Sequence, residues 1–158
     1  MTRKRSKYRP KPVLLNPVGF VLEGLTPVAK HDSFMIDLKI KNHSAMASLM
    51  RGQATRSDID ALIEMMNVTE ALYRLGFGTE YQNVVSAGLE ALYQVARRGA
   101  ATNRFILRAE EIKALNEALE LHDAQMEVIV LRDMEKAIDI VRKEHHKGAV
   151  RRILEKNA

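Results

Sequence analysis

A run of residues without Pro or Gly extends from Arg108 to about His146 and constrains the fold more than any other feature of the chain. Pro and Gly are the residues that most disfavour a helix interior, so their absence predicts one continuous helix. At 1.5 Å per residue this helix would be roughly 55 Å long, which exceeds the diameter of a compact domain of this size. Other parts of the chain must therefore cover it along its length.

Apolar residues in this run recur at alternating steps of three and four, which is the heptad spacing of a helix–helix seam. The seam changes phase after Ile129, as in a coiled-coil stutter. A second apolar stripe widens the apolar surface in the middle of the run, so burial on two sides is expected. We predict that a second copy of the protein covers one side, through the oligomer-interface residues Leu119, His122, Met126, Ile129, Val130 and Met134.

A helix is also predicted over residues 33–51, where a start signal at Asp32-Ser33 is followed by a stop at Arg51-Gly52. Within it, residues 36–41 alternate apolar and polar side chains with a period of two, which is typical of a β-strand. No convincing partner strand exists elsewhere in the chain. We therefore favour a helix, and a strand remains the alternative.

Two more helices follow, and both are amphipathic. One begins near Ser57 with acidic residues in its first turn and ends at Gly76, and the other opens with the capping-box sequence that starts at Thr79 and closes at Gly99. A short apolar helix starting at Asn16-Pro17 is predicted before all of them. The fold class predicted is therefore all-α: a bundle of four main helices and a short N-terminal helix, organised around the long C-terminal helix.

Charge divides the chain into three parts. Residues 1–12 hold six Lys and Arg and no acid, and residues 142–158 hold six Lys and Arg against two Glu. Residues 13–141 hold 13 basic and 18 acidic side chains, so an acidic body carries basic ends. We expect a flexible basic arm at 1–12, a helical bundle domain at 13–147 and a basic tail at 148–158.

No catalytic or metal-binding pattern stands out. The chain has no Cys, which excludes thiolate sites and disulfides and fits a reducing, cytoplasmic compartment. The five His lack the spacing of helical metal sites, and His145-His146 lies among lysines that would repel a cation. His122 lies in the seam, where a polar residue that sets helix register is expected and a pH-sensitive contact is the alternative. The sequence predicts no catalytic residue, no metal and no cofactor.

The basic ends carry the functional prediction. Lys and Arg around one Tyr are suited to phosphates and to base stacking. The predicted nucleic-acid-binding residues are Arg3, Lys4, Arg5, Lys7, Tyr8, Arg9 and Lys11 in the arm and Arg142, Lys143, Lys147, Arg151 and Arg152 near the C-terminus.

The protein is therefore expected to be a non-enzymatic accessory protein, of a kind typical of bacteria or their mobile elements, that associates with DNA or RNA without sequence preference. The alternative is a protein-binding adaptor or inhibitor that acts through the acidic helical surface. No apolar run is long enough to cross a membrane, so no membrane partner is expected.

Overall fold

The structure is a computed structural model that describes residues 24–30 and 32–147. Over these residues it is an all-α bundle, as predicted. A 3-10 turn at Val28–Lys30 precedes five helices, with a second 3-10 turn at Thr79–Tyr81. The helices are α1 (Asp32–Met50), α2 (Arg56–Arg74), α3 (Gln82–Ala100), α4 (Ala109–Val128) and α5 (Leu131–His146). The predicted arm, the tail from residue 148 and the predicted N-terminal helix up to residue 23 lie outside the described residues.

The segment with a strand-like pattern is helical. Residues 36–41 belong to α1, which settles the alternative in favour of the helix. Ile36 and Ile40 are more than half exposed, at 56% and 59%, whereas Leu38 packs against the core. The alternation arises because α1 carries apolar side chains on two faces, one of which points to solvent.

The long C-terminal helix predicted from the sequence is two helices. Ile129 and Val130 have extended backbone angles, with ψ values of 158° and 165°. Three consecutive β-branched residues from Val128 weaken the helix at this point, and the chain before α1 supplies other partners. Val28 N–H donates to the Ile129 carbonyl and Leu131 N–H donates to the Thr26 carbonyl, both at 3.0 Å. The phase change in the apolar pattern therefore marks a break between α4 and α5, not a stutter in one helix.

The two sides of the break have different surroundings. α4 packs closely on α3 and also contacts α2 and α1, whereas α5 packs mainly on α2. Small residues allow the close approach of α3 and α4: a Cβ atom added to Gly88 would lie 2.7 Å from the Ala118 Cβ, and one added to Gly99 would overlap the Phe105 ring. α4 is thus enclosed by protein, and α5 lies at the edge of the bundle.

Candidate functional site

A groove runs between α2, α3 and α5 and has a volume of about 870 Å³. Its floor is apolar, with Met66 and Leu92 buried and Ile63 and Leu89 half-buried. The last turns of α5 form one wall through Ile140, Val141 and the residues that follow. A groove of this size with an apolar floor and polar edges has the dimensions of a ligand or peptide site.

The edge of the groove formed by α2 is acidic. Asp60, Glu64 and Glu70 line it, and two of these carboxylates have cationic partners: Lys41 Nζ lies 2.6 Å from Glu64, and Arg74 lies 2.8 Å from Glu70. Asp60 makes no ion pair with the described residues. The acidic edge is therefore partly neutralised and keeps one free carboxylate.

The end of α5 is basic, and of its cations Arg142 lines the groove. Arg142, Lys143 and Lys147 are exposed and have no ion-pair partner among the described residues. The one carboxylate in the last turns, Glu144, instead lies 4.0 Å from the Arg74 guanidinium of α2. Three cations are thus free to meet an anion from solvent.

Of the predicted nucleic-acid-binding residues, the structure describes Arg142 and Lys143 in the last turns of α5 and Lys147 directly after its last residue. The other predicted contacts lie outside the described residues, namely Arg3, Lys4, Arg5, Lys7, Tyr8, Arg9, Lys11, Arg151 and Arg152.

The predicted oligomer interface is the protein's own core. Five of its six residues are buried, with exposures of 5% for Leu119, 2% for His122, 1% for Met126, 0% for Ile129 and 7% for Met134. Val130 is half-buried and pairs with Pro27 in an isolated β-bridge. The assignment of these side chains to an intermolecular seam is therefore corrected, because helices of the same chain cover them. Self-association through another surface stays a prediction.

His122 is buried. Its Nδ1 lies 3.0 Å from the Thr69 hydroxyl of α2, and burial lowers its pKa to about 4, against the opposing effect of Asp123 and with a smaller contribution from His43. It is therefore neutral near pH 7 and joins α4 to α2, and a role in setting helix register stays a prediction.

A fork-shaped ion pair fixes the start of α4. Both terminal nitrogens of Arg98 donate to the Glu111 carboxylate, at 2.7 and 2.6 Å, and the Arg108 backbone N–H donates to it at 2.8 Å. Burial opposes ionisation of Glu111, but these bonds outweigh burial and lower its pKa. The pair joins the end of α3 to the start of α4, so its role is structural.

The groove itself was not found from the sequence. Its floor comes from residues far apart in the chain, and it depends on α5 being a separate helix that lies across α2. The phase change after Ile129 was the one local signal, and it shows where the helix ends but not where the next helix packs.

Within the described residues, no group of three or more His, Asp or Glu side chains could hold a metal ion, and none of the helices has the length and hydropathy of a membrane span. Comparison of the chain with protein-family models, with curated proteins and with solved structures found no match.

Proposed function

We propose that this protein is a non-enzymatic accessory protein that binds nucleic acid without sequence preference through its basic ends. The observation that carries the proposal is the free cluster of Arg142, Lys143 and Lys147 at the end of α5, next to which Glu144 pairs with Arg74 instead. This cluster continues into a tail that contains Arg151 and Arg152. Cations without local partners attract phosphates because binding releases the counterions that surround the nucleic acid.

The acidic body is consistent with this function. Residues 13–141 carry more acidic than basic side chains, so the body repels phosphates and directs contact to the ends. Base edges are read by side chains held in fixed geometry, and none of the three cations on α5 is held by a partner in the described structure. Binding should therefore depend on charge and not on sequence.

The test is a salt titration of binding to a short fluorescein-labelled DNA duplex and to a single-stranded RNA of the same length. We expect the affinity to fall steeply with salt, and deletion of residues 2–11 to weaken it further and flatten its salt dependence. The triple variant Arg142→Ala/Lys143→Ala/Lys147→Ala should reduce the slope of log affinity against log salt by roughly one for each phosphate that is no longer neutralised.

A matched control removes the same charge elsewhere. Arg51, Arg97 and Arg104 are exposed on other parts of the bundle, and their triple replacement by Ala should leave both affinity and slope close to those of the unmodified protein. If the two triple variants lost affinity and salt dependence equally, binding would depend only on the net charge of the protein. That result would contradict a site at the basic ends. Binding that does not respond to salt would contradict the proposal as a whole.

The groove favours a second candidate function, which is binding of a protein segment. Its apolar floor and its acidic edge at Asp60, Glu64 and Glu70 are complementary to an amphipathic segment with basic side chains beside its apolar face. The probe is a labelled helical peptide of Lys and Leu. Its affinity should fall in Asp60→Lys/Glu64→Lys and not in Glu120→Lys/Glu135→Lys, which reverses the same charge at exposed positions. Equal affinity for both variants would exclude the groove as the site.

A further inference from the structure

The hydrogen bonds around His122 determine which of its ring nitrogens carries the proton. The Thr69 hydroxyl lies 2.9 Å from the Met65 carbonyl oxygen and 3.0 Å from His122 Nδ1. A hydroxyl has one hydrogen and a carbonyl can only accept, so Thr69 donates to Met65. His122 Nδ1 must therefore be the donor to Thr69. In the neutral ring that leaves Nε2 as an acceptor.

Three buried polar atoms have no hydrogen-bond partner among the described protein residues: His122 Nε2, Asn42 Nδ2 and Gln125 Oε1. Their residues are almost completely enclosed, with exposures of 2%, 2% and 3%. Gln125 uses its Nε2 to donate to the Thr69 and Phe77 carbonyls, which fixes Oε1 as the free atom. Buried polar atoms are rarely left unpaired in folded proteins, so a partner other than the described protein residues is expected for these three.

The register of α1 against α4 places these three residues at about one level of the core. Lys39 pairs with Glu127 and His43 pairs with Asp123, so the two helices are antiparallel. By the same register Asn42 is level with residue 124. At 1.5 Å per residue, His122 and Gln125 then lie within about 3 Å of Asn42 along the helix axis.

The usual spacing of packed helices leaves room for one bridging molecule between α1 and α4. Axes of packed helices are about 8–10 Å apart, and a group that hydrogen-bonds two partners at about 2.9 Å each joins atoms that are roughly 5–6 Å apart. His43, the neighbour of Asn42, also lies near enough to His122 to affect its ionisation. His122 is therefore close to the part of α1 that carries Asn42.

The donor and acceptor pattern selects the ligand. Asn42 offers an N–H, and His122 and Gln125 offer lone pairs, so the bridging group must accept one hydrogen bond and donate two. A metal cation cannot accept from the Asn42 amide, and an anion cannot donate to the two acceptors. We propose that the core of this protein binds one water molecule that accepts from Asn42 Nδ2 and donates to His122 Nε2 and Gln125 Oε1. Buried waters typically make about three hydrogen bonds of this kind.

The test combines nitrogen-15 NMR of the His122 ring with water-selective cross-relaxation on the full chain. We expect the Nδ1–H tautomer at pH 7 and cross-peaks from water to the Asn42 side-chain amide and to the His122 ring. A high-resolution crystal structure should show one solvent peak within about 3.2 Å of all three atoms. An Nε2–H tautomer, or a direct bond between Asn42 and His122 without a solvent peak, would overturn the proposal.

The variant Asn42→Leu removes the donor and fills the site, so the water cross-peak to the His122 ring should be lost. The matched control is Asn67→Leu, which makes the same replacement at a half-buried position lining the groove and should keep the cross-peak. Persistence of the cross-peak in Asn42→Leu would contradict a bridge through Asn42. If Asn42→Leu does not fold, the tautomer and solvent peak of the unmodified protein still decide the question.

Discussion

α4 and α5 arise from one run of sequence without Gly or Pro, yet their roles in the molecule differ. α4 has eight buried residues and is covered by α1, α2 and α3, whereas α5 has two buried residues and lies mainly on α2. The comparison shows that helix-favouring sequence does not decide whether a helix is continuous. Thr26 and Val28 decide it, because they give the Leu131 N–H and the Ile129 carbonyl hydrogen-bond partners outside the helix.

The largest expected difference between the two helices is in their contribution to stability. Leu115 in α4 is 1% exposed, so Leu115→Ala leaves a cavity and should lower the free energy of unfolding by about 2–5 kcal/mol. Leu131 at the start of α5 is half-buried, so the same replacement there should cost about 1 kcal/mol. Urea unfolding of both variants measures the two values. Equal losses of free energy of unfolding in the two variants would show that α5 contributes as much to stability as α4, contrary to the difference in their burial.

Much of the fold could be predicted from the sequence because its signals are local. The amphipathic stripe of α3 and the stop at Arg51-Gly52 depend on neighbouring residues only, and both agree with the structure. The phase change after Ile129 marks the position, but from the sequence it is interpreted as a stutter in one helix. That the helix ends there depends on Thr26 and Val28, about one hundred residues earlier in the chain. Apolar periodicity also cannot distinguish a seam with a second copy from a seam with the chain's own α2.

The same limit explains what was missed at the candidate site. The free cations on α5 could be predicted, since charge and exposure at a chain end are local properties. The pairing of Glu144 with Arg74 could not, because the two residues are 70 positions apart and meet only when α5 packs on α2. That pairing gives Glu144 a partner outside the basic cluster.

A second prediction compares two histidines, buried His122 in α4 and exposed His145 in α5. Burial lowers the pKa of His122 from 6.5 to about 4. The unfolded chain therefore binds a proton more readily than the folded protein between these values, and stability falls as the pH falls through this range. The loss attributable to His122 approaches about 3 kcal/mol near pH 4.

The measurement is the free energy of unfolding at several pH values from 7 to 4. In His122→Gln the free energy of unfolding should change less with pH over this range, because the titrating group is gone. His145→Gln removes a histidine from α5 and should keep the slope of the unmodified protein. A slope that is unchanged in His122→Gln would mean that the buried imidazole is not what makes the protein acid-sensitive.

The smallest expected effect concerns the carboxylates that bind the backbone at the start of each helix. Glu111 accepts bonds from Arg98 and from the Arg108 N–H, whereas Asp133 accepts from the Val130 N–H alone, at 3.2 Å. Glu111→Gln should therefore cost about 1–2 kcal/mol, because charge-assisted bonds are lost and Arg98 loses its partner. Asp133→Asn should cost less than about 0.5 kcal/mol, because an amide oxygen at this N3 position can still accept from the Val130 N–H and only the small effect of a charge at the helix start is lost.

The two variants also differ in their expected response to acid. The pKa of Glu111 is lowered in the folded protein, so its contribution to stability is present above the ordinary value of 4.5 and is lost as the pH falls through the folded value. The difference in free energy of unfolding between the unmodified protein and Glu111→Gln should thus become smaller below pH 4.5. Urea unfolding midpoints at neutral and acid pH measure this difference. A difference that stays constant would assign the effect to packing of the side chain. The start of α4 would then be stabilised by side-chain packing and not by charge. In that case electrostatics would not explain why Glu111 at the start of α4 contributes more to stability than Asp133, with its single bond, at the start of α5.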